Sequence, residues 1–465
     1  MPEPLGSAAR PVRIAIIGAG PAGFYAAEAL LKNSDAHCTI DMFNRFPTPF
    51  GLVREGVAPD HQTIKSVARI YDKIAAHPNF RYFGNVTFSS DVAHDELKPL
   101  YDQILYAVGA QADRRMNIPG EDLQGSDPAT AFVGWYNGRP DYCDLDFDLS
   151  HERVIVVGNG NVAMDVTRIL ITSPDELAKT DIADYALEKL RHSKVREVVM
   201  LGRRGPEQAA FTNVELKEFG ELEGVNIVVN PAELEVDHHT EATISHNKMA
   251  EKNMETLRGY AARENQNHPR TVHMRFFTSP VELLGENGKL TAARLEKNEL
   301  VLDSYGGYRA KGTGVFETVE VGLVLRSVGY RSVPLKGVPF DDVSFKIPNV
   351  AGRVMYPSSA DFVPGEYVVG WAKRGPNGVI GTNKPDAVST VAGMIEDWQT
   401  LEGIPDENRD LTKIEAFLKE RNIDFVNYAD WKKLDEYETK LGAEQNRPRV
   451  KVARVPEMLE IIRRA

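Results

Sequence analysis

The sequence predicts an α/β protein of two Rossmann-like domains with a three-layer arrangement, the second inserted in the first. Two glycine-rich runs predict the domains: Gly18–Gly23, called here the first fingerprint, and Gly158–Ala163, the second fingerprint. Each run follows an apolar strand-like stretch and opens a helix-like stretch. At a third run, Glu366–Lys384, the chain is predicted to return to the first domain. We therefore expect the first domain at residues 1–111 and 329–465, and the second at residues 112–328.

The setting of the fingerprints gives their glycines mechanical roles. One glycine permits the tight turn, one lets the backbone approach a pyrophosphate, and the third position lets the helix pack on the strand. The phosphates then lie on free N–H groups at a helix N-terminus. Two such units in one chain predict two dinucleotides and electron transfer between them.

Apolar runs predict the other elements of the first domain. A helix is expected to start at Asp60 as its N-cap, with Ile64, Ala68, Tyr71 and Ala75 on one face. Before the insertion, strands are predicted at Val12–Ile17, Thr39–Phe43, Phe80–Phe83 and Ile104–Val108. After the insertion, helices are predicted at Pro385–Trp398 and from Leu411 onward.

The second domain is predicted to alternate strands and helices and then to continue as strands. Its predicted strands are Val154–Val157, Val198–Leu201, Thr271–Phe277, Ala292–Glu296 and Val319–Ser327, and its predicted helices are near Ile182–Arg191 and within the charge-laced segment Glu241–Glu264.

Composition excludes several classes of protein. The 465 residues carry a formal net charge of −12, and an acidic balance argues against general nucleic-acid binding. The only two cysteines, Cys38 and Cys143, form neither a CxxC redox pair nor a metal cluster, which favours a reducing, cytoplasmic location. No metal site is predicted, because His239 and His246, which follow His238, would lie about 10 Å apart along a helix axis.

The stretch Ile14–Leu31 could be mistaken for a membrane span, since Glu28 is its only charged residue. The glycines and the proline of the first fingerprint interrupt it where a strand–turn–helix unit needs them. We therefore predict no membrane span.

Many blocks in one order carry a resemblance to a known family. The sequence resembles the adrenodoxin-reductase-like ferredoxin–NADP+ reductases nearly end to end, in particular the bacterial FprA-type enzymes. The blocks are the two fingerprints with their flanks, Pro47–Arg54, Val57–His61, Phe83–Val86, Tyr106–Ala110, Gly202–Gly205 and Gly370–Lys384. The resemblance implies two glutathione-reductase-like nucleotide-binding domains, bound FAD, NADPH as donor and a small iron–sulfur protein as acceptor.

The resemblance implies that the first fingerprint holds FAD, with the pyrophosphate over Gly18, Gly20, Pro21, Ala22 and Gly23. The family carries Glu at the end of the second strand to grip the adenosine ribose, and this chain has Asn44, which supplies no charge. The neighbouring Arg45 leaves open a 2′-phosphate reading of this site.

Further FAD contacts are implied at Leu52 and Val86, although plain core packing would also explain these two apolar residues. The flavin-edge segment is matched by Trp371, Gly378, Val379 and Ile380. Backbone N–H groups at a helix N-terminus would face the flavin where reduction accumulates negative charge. The alternative is a glycine-rich loop that only connects elements.

The second fingerprint is expected to hold NADPH, with the pyrophosphate over Asn159, Gly160, Asn161 and Val162. An NAD site carries Asp or Glu after the next strand, whereas an NADP site carries arginine. Here that strand is followed by Arg203 and Arg204, whose guanidiniums can bind a 2′-phosphate. By resemblance Glu215 contacts the nicotinamide-side ribose, the alternative being an ordinary surface glutamate.

Hydride transfer from nicotinamide C4 to flavin N5 needs no protein nucleophile. By resemblance the catalytic positions are His61 and Glu218, near the isoalloxazine and the nicotinamide. A histidine that titrates near neutrality suits proton handling. His61 could equally be a residue of the first helical turn after Asp60.

The predicted function is FAD-dependent ferredoxin–NADP+ reduction, with single electrons leaving to an acidic ferredoxin. The protein is expected to be a monomer or a weak homodimer. Two basic clusters are candidates for docking or ordinary solvated surface: Arg447, Arg449, Lys451 and Arg454, and Lys373 with Arg374. The alternatives are an NADPH:acceptor reductase of the quinone or diaphorase type and an NADP(H)-sensing flavoprotein.

Overall fold

The computed structural model describes residues 3–33, 37–235, 244, 247–264, 266–303 and 307–464. They divide into two compact units. The first unit comprises Met1–Val57, His61–Ala112 and Tyr330–Ala465, and the inserted unit comprises Asp113–Gly329 with the short segment Ala58–Asp60.

The first part of the first unit alternates strands and helices around the first fingerprint. Its elements are β1 (Val12–Ile17), α1 (Pro21–Leu31), β2 (Cys38–Phe43), α2 (Leu52–Glu55), α3 (Gln62–Lys65), α4 (Ala68–Ala75), β3 (Phe80–Phe83), α5 (His94–Leu97), a 3-10 turn at Lys98–Leu100, β4 (Gln103–Tyr106) and, at the passage out of the unit, β5 (Ala112–Asp113).

The inserted unit begins with the same alternation and ends in long strands. Its elements are β6 (Ser126–Pro128), α6 (Ala129–Tyr136), β7 (Arg153–Val157), α7 (Asn161–Ile171), α8 (Pro174–Leu177), α9 (Asp184–Arg191), β8 (Glu197–Leu201), a 3-10 turn at Pro206–Gln208, α10 (Asn213–Phe219), β9 (Val225–Val229), a 3-10 turn at Pro231–Leu234, α11 (Lys248–Ala261), β10 (Arg270–Arg275), β11 (Thr278–Glu286), β12 (Lys289–Leu302), β13 (Tyr308–Glu320) and β14 (Leu323–Arg326).

The chain then returns to the first unit and ends in helices. These elements are β15 (Tyr330–Arg331), β16 (Asn349–Val350), β17 (Arg353–Met355), β18 (Phe362–Val368), α12 (Trp371–Arg374), 3-10 turns at Ile380–Thr382, Asp397–Gln399 and Asp406–Asn408, α13 (Asn383–Glu396), α14 (Thr412–Glu420), α15 (Tyr428–Glu444) and α16 (Val455–Arg464).

A seven-stranded sheet forms the centre of the first unit, in the order β16-β17-β18-β4-β1-β2-β3. The five strands from β18 to β3 run parallel, and β16 and β17 are antiparallel. Ile14 and Ile16 of β1 face the core that contains α1 and α13, whereas Ala15 and Ile17 face the core that contains Leu418 of α14. Both faces are covered, which is why β1 is an unbroken run of buried residues.

A six-stranded parallel sheet forms the centre of the inserted unit, in the order β6-β14-β7-β8-β10-β9. Strands β11, β12 and β13 form a separate antiparallel sheet. Its residues Leu283 and Leu295 pack on Ile155 and Val199 of the parallel sheet. The predicted class, two three-layer Rossmann-like folds, is confirmed.

The helix predicted to start at Asp60 is wrong in its start and its continuity. α3 begins at Gln62 with His61 as N-cap, and α4 begins separately at Ala68. Ile64 is 43% exposed, whereas Tyr71 and Ala75 are buried as predicted. His238, His239, His246 and part of the segment 241–264 lie outside the described residues.

The stretch that could be mistaken for a membrane span is strand β1, a glycine turn and the 11-residue helix α1. Among the described residues, none of the helices combines the length and the apolar character that a membrane crossing requires.

Candidate cofactor sites

The three glycines of the first fingerprint have different surroundings. A β-carbon at Gly18, whose φ is +109°, would lie 2.5 Å from the carbonyl oxygen of Ala107. A β-carbon at Gly23 would collide with the carbonyl oxygen of Gly18, where α1 packs on β1. At Gly20 a β-carbon would meet nothing within 4 Å. Two glycines are therefore required by packing, and Gly20 keeps a space open.

Helix α1 starts beside this space in the way that an anion site requires. Gly20 is its N-cap in an extended conformation, Pro21 occupies its first turn, and no side chain caps it. The N-terminal N–H groups of such a helix attract phosphate oxygens. Ala22 lies in the same turn and borders Gly370, where a β-carbon would come within 2.7 Å of the Ala22 side chain.

The segment Phe50–Gly51 lies across the first fingerprint. The Phe50 N–H donates to the Ala19 carbonyl at 2.8 Å, and a β-carbon at Gly51 would lie 3.0 Å from the Gly20 Cα. Phe50 has a φ of +82°, which is strained for a bulky residue, and Gly51 has a φ of +48°. This turn forms a second wall next to Gly20, and Leu52 follows it as the first residue of α2.

Asn44 follows β2 and binds the backbone of its own loop. Its Nδ2 donates to the carbonyls of Phe46 at 3.1 Å and Thr48 at 2.9 Å, and its Oδ1 accepts a long hydrogen bond of 3.4 Å from the Ala19 N–H. Its backbone carbonyl accepts from the N–H of Val86, which is buried. Both amide hydrogens are thus used inside the unit, which leaves Oδ1 as the atom able to accept from a ribose hydroxyl.

The flavin-edge segment is held by hydrogen bonds and a ring contact. The Gly370 N–H donates to Asp386 Oδ2 at 2.7 Å, and the indole N–H of Trp371 donates to the Asn377 carbonyl at 3.0 Å. The rings of Tyr330 and Trp371 lie 5.4 Å apart. Trp371 is therefore fixed at the end of the parallel strand β18.

Gly378–Ile380 leads into the N-terminus of α13. Gly378 has a φ of +78°, and a β-carbon there would collide with the Thr382 side chain. The Thr382 hydroxyl donates to the Val379 carbonyl at 2.6 Å. Ile380 packs against the core while Val379 is exposed, so the segment is anchored on one side only.

The second fingerprint repeats the pattern of the first. Gly158 has a φ of +139°, and a β-carbon there would collide with the Ser327 carbonyl oxygen. The site at Gly160 is open, the nearest atom to a β-carbon being Ala210 Cβ at 3.9 Å. Ala163 is fully buried, where a methyl group fits between α7 and its sheet.

Asn159 and Asn161 hold the neighbouring segment that runs toward α10. The Asn159 carbonyl accepts from the N–H groups of Ala210 at 2.9 Å and Phe211 at 3.1 Å. The Asn161 Oδ1 accepts from the Thr212 N–H at 2.8 Å. Thr212 in turn is the N-cap of α10.

Arg203 and Arg204 follow β8 with their main chain fixed and their guanidiniums unpaired among the described residues. The Arg203 carbonyl accepts from Asn298 Nδ2 at 2.9 Å, and the Arg204 carbonyl accepts from the Phe277 N–H at 3.1 Å. Neither guanidinium forms a hydrogen bond or an ion pair with any residue that the structure describes. Cations without an internal partner at the carboxyl end of a parallel strand are suited to an external anion.

Glu215 and Glu218 meet at a buried guanidinium, that of Arg168 on α7. Arg168 Nη1 lies 3.4 Å from Glu215 Oε2 and 3.5 Å from Glu218 Oε2. The same guanidinium binds Asp60 at 2.6 Å and Asp165 at 2.7 Å, both in the inserted unit. Burial alone would lower the pKa of Arg168, but the hydrogen bonds and charges of Asp60 and Asp165 raise it.

His61 belongs to the first unit, where it is half-buried. It is the N-cap of α3, and its carbonyl accepts from the Lys65 N–H at 3.2 Å. His61 therefore lies at the start of a short helix, and its catalytic role stays a prediction.

Comparison with known proteins identifies the family. Residues 12–258 match the family model of pyridine nucleotide-disulphide oxidoreductases. The chain is 48% identical over 463 residues to the NADPH-ferredoxin reductase FprA of Mycobacterium tuberculosis, covering 97% of this chain and 99% of that protein. The chain belongs to the adrenodoxin-reductase-like ferredoxin–NADP+ reductase family.

One further relative and a solved structure agree. The mitochondrial NADPH:adrenodoxin oxidoreductase of Arabidopsis thaliana is 39% identical, covering 97% of this chain and 96% of that protein. A solved structure of Mycobacterium tuberculosis FprA in complex with NADPH superposes with a TM-score of 0.92 at 48% identity, covering 97% of this chain and all (100%) of that one. The predicted family, the oxidoreductase class and the cofactors of the family, FAD and NADP(H), are confirmed. The roles of the individual site residues stay predictions.

In the first basic cluster, the prediction of a surface position is wrong for two of the four residues. Arg447 and Lys451 are buried, and Lys451 Nζ donates to the Arg54 carbonyl at 3.1 Å. Arg449 pairs with Asp435 at 2.8 Å and with Glu438 at 3.0 Å.

The two residues of the second basic cluster, Lys373 and Arg374, also bind partners within the first unit. Lys373 pairs with Asp386 at 2.8 Å, and the Arg374 guanidinium binds Asn377 and Asn383. Lys373 and Arg374 therefore stabilise the flavin-edge segment, and the charge of Lys373 is compensated by Asp386.

Sequence reasoning missed Arg168 and the strained Phe50. Arg168 lies three residues after Asp165 on one helix, a spacing typical of ordinary helix pairs. Its other partners come from distant positions, so the sequence carries no signal for a shared guanidinium. The Pro47–Arg54 block carries part of the family resemblance, but its residue types do not predict the positive φ of Phe50.

Proposed function

We propose that the chain is an FAD-dependent NADPH–ferredoxin reductase. When bound, NADPH supplies a hydride that FAD accepts and releases as single electrons to an iron–sulfur protein. The observation that carries the proposal is the pair of open glycine cradles, the second followed by two unpaired arginines. Relatives named NADPH-ferredoxin reductase over the full chain length support it.

The first unit fits FAD. Gly20 keeps open the space beside an uncapped helix N-terminus, and the turn at Phe50–Gly51 bounds that space. Gly18, Pro21, Ala22 and Gly23 would line the pyrophosphate. Trp371 and the backbone of Gly378–Ile380 would border the flavin ring, with Asn44 Oδ1, Leu52 and Val86 as further contacts.

The inserted unit fits NADPH rather than NADH. Asn159, Gly160, Asn161 and Val162 would surround the pyrophosphate, and Arg203 with Arg204 would bind the 2′-phosphate. No carboxylate stands after β8 to accept a 2′-hydroxyl, since Gly202, Arg203, Arg204 and Gly205 occupy this position. Glu215 and Glu218 would face the nicotinamide side, where both lie within ion-pair distance of Arg168.

Electrons must leave the chain, because its cysteines cannot receive them. Cys38 and Cys143 are both free and buried, and burial raises the pKa of Cys38 to about 12. A thiol of such a pKa is a poor nucleophile and redox partner at neutral pH. Two free cysteines also fit a reducing cytoplasm.

We place the acceptor on a surface of α10 and α11, called here the α10–α11 surface. It exposes two apolar residues, Val214 at 69% and Met249 at 42%. Lys217 follows Val214 by three residues on α10, and Lys248 and Lys252 lie one residue before and three residues after Met249 on α11. Their ammonium groups form no ion pair with any residue within the described ranges.

The two helices of this surface are fixed to each other. Asn213 Nδ2 donates to the Lys252 carbonyl at 3.1 Å and to the Thr256 hydroxyl at 3.0 Å. Glu251 and Glu255 are exposed on the same helix, so the surface is basic by a small excess. Exposed apolar residues on a surface with a small excess of lysines suit a small acidic protein that binds transiently.

Absorbance and nucleotide preference test the proposal. The purified protein should be yellow, should release FAD on denaturation, and should oxidise NADPH in strong preference to NADH. A folded protein that is colourless and stays so after incubation with FAD would contradict it.

A further inference from the structure

Glu438 on α15 is a fully buried carboxylate with four polar contacts. It binds the guanidinium of Arg54 in a bidentate pair at 2.6 and 2.8 Å, and it accepts from Arg449 at 3.0 Å and from the Val452 N–H at 2.9 Å. Burial would raise the pKa of Glu438, but the charge and hydrogen bonds of Arg54 lower it. The carboxylate is therefore ionised and compensated.

Arg54 belongs to α2, directly after the strained turn at Phe50–Gly51. The C-terminal segment holds it from three sides. Glu438 binds its guanidinium, Lys451 Nζ donates to its carbonyl at 3.1 Å, and its guanidinium lies 5.2 Å from the centre of the Trp431 ring. The Trp431 ring also lies 5.9 Å from Phe50 in an edge-on contact.

The turn that these contacts hold does not keep its conformation unaided. A positive φ at a bulky residue costs about 1–3 kcal/mol and persists only where the surroundings enforce it. Phe50 is enclosed by the rings of Phe24, Tyr71 and Trp431. The buried ion pair of Glu438 and Arg54 adds an ionic contact to this enclosure.

We propose that Glu438 is a positioning residue for FAD: through Arg54 it holds the Phe50–Gly51 turn closed against the first fingerprint. Glu438 is fully buried and would act on the cofactor through Arg54. The inference rests on the proposed function only in assigning FAD to the first fingerprint. Its consequence is that helix α15 controls how slowly FAD leaves.

Glu438→Gln is the primary test, because glutamine keeps the shape and removes the charge. The expected result is an FAD dissociation rate at least about tenfold faster, since a buried Arg54 without its counter-ion pulls the turn open. The matched control is Asp424→Asn, which removes the exposed pair with Arg463 at 2.6 Å in the same C-terminal region. It should change the rate less than about twofold.

Two readouts separate positioning from general stability. FAD release is followed by flavin fluorescence, and the melting temperature is measured with and without added FAD. Glu438→Gln should shrink the FAD-induced rise in melting temperature and leave NADP+ affinity unchanged. A variant that lowers both melting temperatures equally and releases FAD at the wild-type rate overturns the proposal.

A second variant covers the case in which Glu438→Gln does not fold. Arg54→Lys keeps the charge and loses the bidentate geometry, and it should release FAD several-fold faster than wild type. An unchanged rate overturns the inference. Failure of the wild-type protein to bind FAD would instead overturn the proposed function.

Discussion

Arg168 Nη1 lies 3.4 Å from Glu215 Oε2 in the interior of the inserted unit, and the same guanidinium also binds Asp60, Asp165 and Glu218. One buried cation thus lies within ion-pair distance of four carboxylates. This relationship joins α7, which opens at the second fingerprint, to α10, which carries the two predicted nicotinamide-side glutamates.

Replacing Arg168 by Met should destabilise the protein strongly. The change removes a buried cation from the buried Glu215 and three partly buried carboxylates, a loss of about 3–5 kcal/mol in the free energy of unfolding. Urea unfolding followed by circular dichroism measures it. The control is Arg191→Met, which breaks a pair with the exposed Asp175 at 3.5 Å and should cost less than about 1 kcal/mol. Equal losses in the two variants would show that the cluster is not coupled as described.

Replacing Arg203 and Arg204 by Ala should weaken NADPH binding without weakening the fold. A hydrogen bond to a charged group contributes about 1.5–3 kcal/mol, so each change should raise the KM for NADPH roughly 10- to 100-fold. NADH kinetics should change little. Because neither guanidinium has a partner among the described residues, the melting temperature should stay that of wild type.

The control for this pair lies at the other end of the same strand. Arg196 precedes β8 and donates to the backbone carbonyls of Ser193 and Val195. Arg196→Ala should leave the preference for NADPH unchanged. A parallel loss of NADPH and NADH turnover in the Arg203 or Arg204 variant would refute the phosphate assignment.

Two glycine substitutions in one fingerprint should have opposite outcomes. Gly20→Ala adds a methyl group to open space at an extended φ of −88°. The apoprotein should melt within about 2 °C of wild type and lose FAD affinity. Gly23→Ala drives a methyl group into the Gly18 carbonyl and should cost about 1–3 kcal/mol of stability. Normal FAD binding by the folded Gly20→Ala protein would show that the cofactor does not use this space.

Glu366 should make the stability of the first unit depend on acid pH. It is buried on β18, where it accepts from Tyr106 at 2.9 Å and lies 2.8 Å from His94 and 3.1 Å from Lys98. Burial would raise the pKa of Glu366, but the hydrogen bond and charge of His94 and the charge of Lys98 lower it. Its contribution is present above the unfolded pKa of about 4.3 and is lost as pH falls through the folded value.

Glu366→Gln should therefore cost about 2 kcal/mol at pH 7 and less at pH 3. Urea unfolding at several pH values measures the difference. Glu402→Gln, at an exposed position of the same unit, is the control and should follow the wild-type curve. A Glu366→Gln deficit that stays constant down to pH 3 would contradict the assignment.

The sequence predicted what local patterns determine. Both fingerprints, strand β3 and helix α9 lie where glycine spacing and apolar runs placed them. The predicted helix at Asp60 was wrong because the helix is interrupted between α3 and α4. Helix propensity alone does not predict such an interruption.

Long-range pairing was not predictable from the sequence. The run Arg447–Arg454 is locally basic, and only the fold brings Glu438 and Asp435 against it. Likewise the amide hydrogens of Asn44 bind carbonyls of its own loop, a use that its alignment with a family glutamate did not suggest.

Charge reversal at the α10–α11 surface should impair only the acceptor reaction. Lys217→Glu and Lys252→Glu should each lower kcat/KM for ferredoxin about tenfold, mainly through slower association. NADPH-dependent ferricyanide reduction, which needs no docking, should be unchanged. Arg454→Glu, in the basic cluster at Arg447–Arg454, is the control and should behave as wild type.

NADPH-dependent cytochrome c reduction by the purified holoenzyme, with and without added ferredoxin and over a range of ionic strength, tests the central claim most directly. The account predicts that turnover requires ferredoxin and falls as salt screens the lysines. Turnover that is independent of ferredoxin and insensitive to salt would contradict it and favour a diaphorase.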